Sequence, residues 1–221
     1  FDASRDITAY EWCRERGAKV IITPLSSTGE ILKPFLEKDG VPLYVCATTV
    51  PLVDDPGWVF CKDPPLGYYM QSALKWVSEE EWDWQTKGPT KVGCVGWSES
   101  AHIEVESGMK EYCLAHPDQF EWVGGFRTPV GSMTWSGEIA KLRDCDYVYP
   151  PSTGTGTVSF VNQFRAAGGG ATFIGSSPLF AFTGLLIDAC GWEKMDGTLT
   201  AGVLAWHEPV IAFDQLGKEL L

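Results

Sequence analysis

The feature that most constrains this chain is an alternation. Short β-branched runs are separated by stretches of about 10–15 residues with helical apolar spacing. Candidate strands are Lys19–Thr23, Leu43–Cys46, Lys91–Val95, Phe120–Phe126, Asp146–Tyr149, Ala171–Ile174 and Leu199–Leu204. Between them the spacing predicts helices over Asp6–Arg16, Thr28–Lys38, Leu66–Glu80, Ala101–His116, Thr134–Arg143, Thr157–Ala167 and Leu179–Ala189. Asp6 and Ser27 are candidate N-caps, and Gly17 and Gly40 stand where a left-handed residue ends a helix. Pro117 forces His116 out of the α region and closes another helix. Strands alternating with helices of this length make βαβ units, so the class is α/β with mostly parallel sheets covered on both faces.

Composition narrows the function classes. Seventeen Lys and Arg against 29 Asp and Glu leave a net charge of −12, which repels nucleic acid and anionic membrane surfaces. No apolar run approaches the ~20 residues of a membrane span. Cysteines 13, 46, 61, 94, 113, 145 and 190 are scattered, without CxxC or zinc-finger spacing. A break falls at Cys61–Pro65, where two prolines follow the apolar run Trp58–Phe60 and suit an extended connection between lobes. Trp206–Pro209 has the same character after the last strand.

Two loops at strand ends are candidates for ligand contact. Ser26, Ser27 and Thr28 lie between a strand and a helix, where free amides and hydroxyls suit a carboxylate. Ala47, Thr48 and Thr49 end the neighbouring strand and would line the same crevice. Three further strand ends could face them: Trp97-Ser98-Glu99, Tyr149 with its following prolines, and Ser176-Ser177. Rings there could cover an apolar ligand while hydroxyls orient it. The competing reading makes Ser27 a plain cap, Thr48 and Thr49 a turn, and Trp97 and Tyr149 core rings.

The ordered series KVIITPLSSTGEILKPFLEKDGVPLYVCATT, KVGCVGWSESAHIEVESGMKEYCLAHPDQFEWVG, EIAKLRDCDYVYPPSTG and QFRAAGGGATFIG resembles the type I periplasmic solute-binding proteins of the branched-chain amino acid ABC importer group. The resemblance runs from about Asp2 to Ala205. It implies a two-lobed fold: residues 1–61 as part of an incomplete N-lobe, 62–205 as a nearly complete C-lobe, and 206–221 as a hinge return into a further N-lobe segment. It further implies that the Ser26–Thr28 and Ala47–Thr49 loops hold a ligand carboxylate. Amino acid binders of this group carry an acid in the loop after the FIG-type strand, but here that loop reads Ser176-Ser177-Pro178-Leu179. They also carry an aromatic where Ala101 stands. Glu99 is the candidate replacement for the acid; an amide or an aromatic or aliphatic carboxylate is the alternative ligand.

The implied role is an extracytoplasmic solute-binding component of an ABC importer, in the periplasm or at the cell surface, closing on a small molecule and delivering it to a membrane permease. The runner-up is a ligand-sensing regulator or receptor module of the same fold. A third reading is a serine hydrolase, because Gly96-Trp97-Ser98-Glu99-Ser100 nearly matches a nucleophile elbow and Asp188 or Asp196 and His207 follow in order. Its fifth position is Ser100 where the tight elbow needs glycine. Gly154-Thr155-Gly156 lacks a dinucleotide fingerprint, and Cys113 with His116 lacks a second pair of metal ligands. No catalytic residue, cofactor or metal is assigned.

Overall fold

In the computed structural model, which describes residues 3–202, the alternation becomes two sheets. The first is built from α1 (Ala3–Glu15), β1 (Ile21–Thr23), α2 (Ser26–Asp39), β2 (Leu43–Val45), α3 (Val50–Val53) and β3 (Val59–Cys61). The chain then enters α4 (Leu66–Trp76), a π turn at Val77–Glu81, and α5 (Trp84–Lys87). The second sheet follows as β4 (Thr90–Trp97), α6 (Ser100–Ala115), β5 (Phe120–Thr128), α7 (Ser136–Leu142), β6 (Tyr147–Tyr149), α8 (Gly154–Ala166) and β7 (Thr172–Ser176). It ends with α9 (Ser177–Phe180), α10 (Thr183–Cys190), α11 (Trp192–Met195) and β8 (Leu199–Ala201). The strand orders are β1-β2-β3 and β5-β4-β6-β7-β8, and every pairing is parallel. The α/β expectation holds. Among the described residues no helix is long and apolar enough to cross a membrane.

The five-stranded sheet is buried on both faces, as a parallel sheet requires. Successive residues of each strand feed opposite layers. Val92 and Cys94 meet Leu66, Met70, Leu74, Val105 and Met109 on one face. Val95, Val148 and Phe173 meet Trp135, Ile139, Leu142, Phe160 and Phe164 on the other. Among the described residues the three-stranded sheet is covered on one face, where Leu32 and Leu36 of α2 pack on Leu43, Val45 and Val59. Its opposite face presents Ile22, Tyr44 and Phe60 in one cross-strand row, 71%, 50% and 46% exposed.

Several local expectations are revised. Trp58–Phe60 is not merely a connection: Val59–Cys61 pairs with β2, with Val59 inward and Phe60 outward. Pro64 and Pro65, close behind it, give the run the look of an extended connection. The N-cap of α2 is Leu25, not Ser27, and it makes no side-chain cap bond. Asp6 lies inside the first turn of α1 rather than capping it. The helix expected over Leu66–Glu80 loosens into the π turn, where the Trp82 amide donates to the Val77 carbonyl at 2.7 Å. The one expected over Leu179–Ala189 divides into α9 and α10. Gly40 does close α2 in the left-handed region at φ 63°, its amide donating to the Leu36 carbonyl. Residues 203–204 of the last expected strand, and Trp206–Pro209, lie outside the described residues.

Helices α4 and α6 cross at glycines. A Cβ on Gly108 would lie 2.5 Å from the Gly67 Cα and 2.6 Å from its carbonyl oxygen, so the two backbones touch directly. Gly108→Ala must push the helices apart, and overpacking of this kind destabilises by about 1–3 kcal/mol. The expected outcome is a lower denaturant midpoint at unchanged m-value; an unchanged midpoint would mean the helices part freely.

Candidate functional site

The second sheet reverses its order of growth beside β4. From β4 the chain goes to β5 on one side, and β6, β7 and β8 build outward on the other. The loops leaving β4 and β6 therefore diverge, and a crevice opens at their carboxyl ends. A cleft of about 390 Å³ lies there. Pro24, Leu25, Ser26, Cys46 and Ala47 line it from the first sheet's loops. Glu99, Ala101, Ser152, Thr153, Ser177, Pro178, Ala181 and Phe182 line it from the second, and Lys62 from the connection between the two. The lining is largely apolar, and its charged members are Lys62 and Glu99. A larger groove of about 540 Å³ runs between α4 and β8, away from the diverging loops.

The open end of α2 faces this cleft. First-turn amides of a helix have no intrahelical acceptor, and the summed peptide dipoles make that end partly positive. Ser26 is fully buried, and the hydroxyls of Ser26 and Ser27 have no hydrogen-bond partner. Since Leu25 cannot cap, nothing in the local sequence satisfies these donors.

The acids around the cleft are engaged. Glu99 caps α6, accepting from the amides of Ala101 at 3.0 Å and His102 at 2.9 Å. Burial pushes its pKa up, the two amides pull it down, and the charge of Glu30 raises it again. Asp63, buried, accepts from the Ser177 hydroxyl at 3.0 Å and pairs with Lys62 at 2.8 Å. The loop that reads Ser176–Leu179 thus does have a carboxylate beside it, brought from the end of β3. Sequence reading missed it because β3 itself went unread, so KDPP did not register as a strand-end loop.

Of the residues singled out from sequence, Ser26, Ala47, Glu99 and Ser177 line the cleft, and Ser27 lies in the same first turn of α2. The others are placed differently. Thr28 donates to Asp6 at 3.1 Å, and Thr49 to Glu30 at 2.7 Å. Thr48 is fully buried near Cys61, and its hydroxyl has no hydrogen-bond partner. The Trp97 indole donates to the Ser132 carbonyl at 2.9 Å. Tyr149 and Ser176 bond each other at 3.1 Å, both fully buried.

Ser98 is exposed, and its amide donates to the Thr128 carbonyl. No described histidine serves it as a base. The His102 ring nitrogens lack a well-formed hydrogen bond, and His116 lies at the far end of α6, bonded to the Tyr112 carbonyl. His207 lies outside the described residues.

The two sheets are tied beneath the cleft. Glu30 of α2 accepts from Thr49 with one oxygen and, at 2.8 Å, from the Ser100 hydroxyl of α6 with the other. Glu104 of α6 accepts from the Val50 amide at 3.3 Å, and burial raises its pKa.

No protein-family model and no curated protein sequence matches the chain. Solved structures do. A leucine-binding protein of Thermotoga maritima superposes with a TM-score of 0.74 at 16% identity, over 99% of this chain and 62% of that one. A substrate-binding periplasmic protein of Ralstonia solanacearum gives 0.71 at 18% identity, over 87% and 53%. An ABC-transporter solute-binding protein of R. palustris, solved with benzoate, gives 0.68 at 19% identity, over 88% and 52%. These are binding proteins rather than enzymes, and the shared fold is that of the two-lobed type I periplasmic binding proteins. The chain spans between half and two thirds of their length.

A charge-assisted hydrogen bond contributes about 1.5–3 kcal/mol. Glu30→Ala removes two of them, one across the sheets. It is expected to lower the melting temperature and to speed amide exchange at the starts of α2 and α6. Unchanged exchange at both would show that the bridge does not hold the walls together.

Proposed function

We propose that this chain is the central part of an extracytoplasmic solute-binding component of an ABC importer. Its ligand is a small, mostly apolar carboxylate, held between two lobes that close on it by a hinge. The lobes are residues 1–61 and 62–205, with 206–221 as the return across the hinge. The observation that carries the reading is the start of α2, where the unpartnered Ser26 hydroxyl and the open end of the helix border an apolar cleft, with the unpartnered Ser27 hydroxyl in the same turn. Those donors suit a carboxylate, and the apolar wall suits the rest of the molecule. A fold shared with periplasmic binding proteins, one a leucine-binding protein and one solved with benzoate, supports the same role. Periplasmic or surface location and a membrane permease as partner follow from that role.

The engaged acids favour a carboxylate without an ammonium group over an amino acid. An amino acid would have to share Glu99 with the two amides it caps, or Asp63 with Lys62 and Ser177, which weakens the pairing of its nitrogen. An aromatic or aliphatic carboxylate needs no such sharing.

The test is a thermal-shift and calorimetric comparison of benzoate, leucine and benzamide on the whole protein. Benzoate is expected to stabilise most. Ser26→Ala is expected to raise the benzoate dissociation constant roughly 10–100-fold while leaving the ligand-free melting temperature nearly unchanged. Equal binding of benzoate and benzamide, or a Ser26→Ala protein with lowered stability and unchanged affinity, would count against a carboxylate at this helix end.

A further inference from the structure

Behind the cleft, between β4, β5 and α6, three groups meet that ligand capture does not use. They are the Cys94 thiol, the His102 imidazole and the Glu106 carboxylate, whose ligand atoms all lie within 4.8 Å of one another. Cys94 is fully buried, His102 is 1% exposed, and its ring nitrogens lack a well-formed hydrogen bond, the Phe126 backbone lying close to the ring without completing one. A buried unmet donor or acceptor costs about 1–3 kcal/mol, and native proteins keep few of them without a reason.

The surroundings make room for this meeting. His102 and Glu106 are four residues apart on α6, so one helix face carries both. Cys94 lies on β4 in register with Gly125 of β5. A Cβ on Gly125 would strike the Glu106 side chain, and one on Gly96 would strike the His102 ring. Both neighbouring strand positions are therefore bare where the two helix residues reach down.

We propose that Cys94, His102 and Glu106 bind a divalent cation of borderline softness, best matched by Zn²⁺. A thiolate, an imidazole and a carboxylate are the donor types zinc takes together. Bonds of ~2.0–2.3 Å place tetrahedral ligand atoms about 3.3–3.8 Å apart, so the three groups need to close by about 1 Å. On binding, the S–H bond of Cys94 breaks, a zinc–sulfur bond forms and the proton leaves to solvent. Thiolate and carboxylate together then neutralise the ion. Burial and the charge of Arg127 hold His102 down to about 3, so it enters as the free base. Arg127, whose Nε lies 3.1 Å from Glu106, forms an ion pair with the carboxylate. Because the His102 amide is one of the two that Glu99 caps, the ion fixes the end of α6 that borders the cleft.

Co²⁺ titration of the chelator-stripped whole protein tests this. The expected result is a thiolate-to-Co²⁺ charge-transfer band that saturates at equimolar metal, is displaced by Zn²⁺, and accompanies a rise in melting temperature. The band should survive Cys46→Ser, which removes an exposed cysteine, and vanish in Cys94→Ser. His102→Gln and Glu106→Gln should weaken Co²⁺ binding at least tenfold. Should Cys94→Ser fail to fold, equimolar saturation in the wild type and persistence in Cys46→Ser decide for the site. Absence of the band in the wild type, its loss in Cys46→Ser, or its survival in a folded Cys94→Ser overturns it.

Discussion

Where α4 crosses α6, Gly67 and Gly108 bring two helix backbones into direct contact with no side chain between them. That approach holds α6 close against the chain that has just left the first sheet. From this position α6 serves both sides of the cleft. Its Ser100 bonds Glu30 and its Glu104 takes the Val50 amide, both across to the first sheet's elements. Its own cap, Glu99, forms part of the cleft wall. Had the helices been spaced by ordinary side chains, these polar contacts would be out of reach. The cleft is thus defined by a packing distance set elsewhere.

Charge around the cleft is arranged by prior engagement. Lys62 and Asp63 neutralise one another beside Ser177, and Glu99 is committed to α6. What is left open is a helix end with donors and no acceptor. An isolated carboxylate is costly to bury unless it is hydrogen-bonded, and the start of α2 offers the bonds that would offset that cost. An ammonium group would have to compete for acids that already have partners.

The large-scale fold was legible because it depends on period and punctuation. Runs such as Lys91–Val95 and Phe120–Phe126 are long enough to be read, and Gly40 ends α2 for the steric reason that makes glycine legible there. What escaped depends on short or tertiary signals. β3 is followed closely by two prolines that suit a connection, and its recognition rests on pairing with β2. The cap of α2 shifted because Ser26 is buried in the first turn, a matter of tertiary placement rather than local propensity. For the cleft, loop position was readable, but side-chain direction within each loop was not. Ser26 and Thr28 are two residues apart, yet one lines the cleft and the other donates to Asp6 of α1. The meeting of Cys94, His102 and Glu106 spans a strand and a helix, and its spacing matches no familiar metal motif.

The bare face of the first sheet bears on how the cleft behaves. Among the described residues its strands have three residues each, α2 covers one side, and Ile22, Tyr44 and Phe60 are exposed on the other. The second sheet is sandwiched on both sides. Ser26 and Ala47 stand in loops of the first sheet, so one wall of the cleft is carried by a separate apolar layer. A ligand that needs those residues in position binds only the fraction of molecules in which that layer is in place, and its measured affinity includes the free energy of keeping it there.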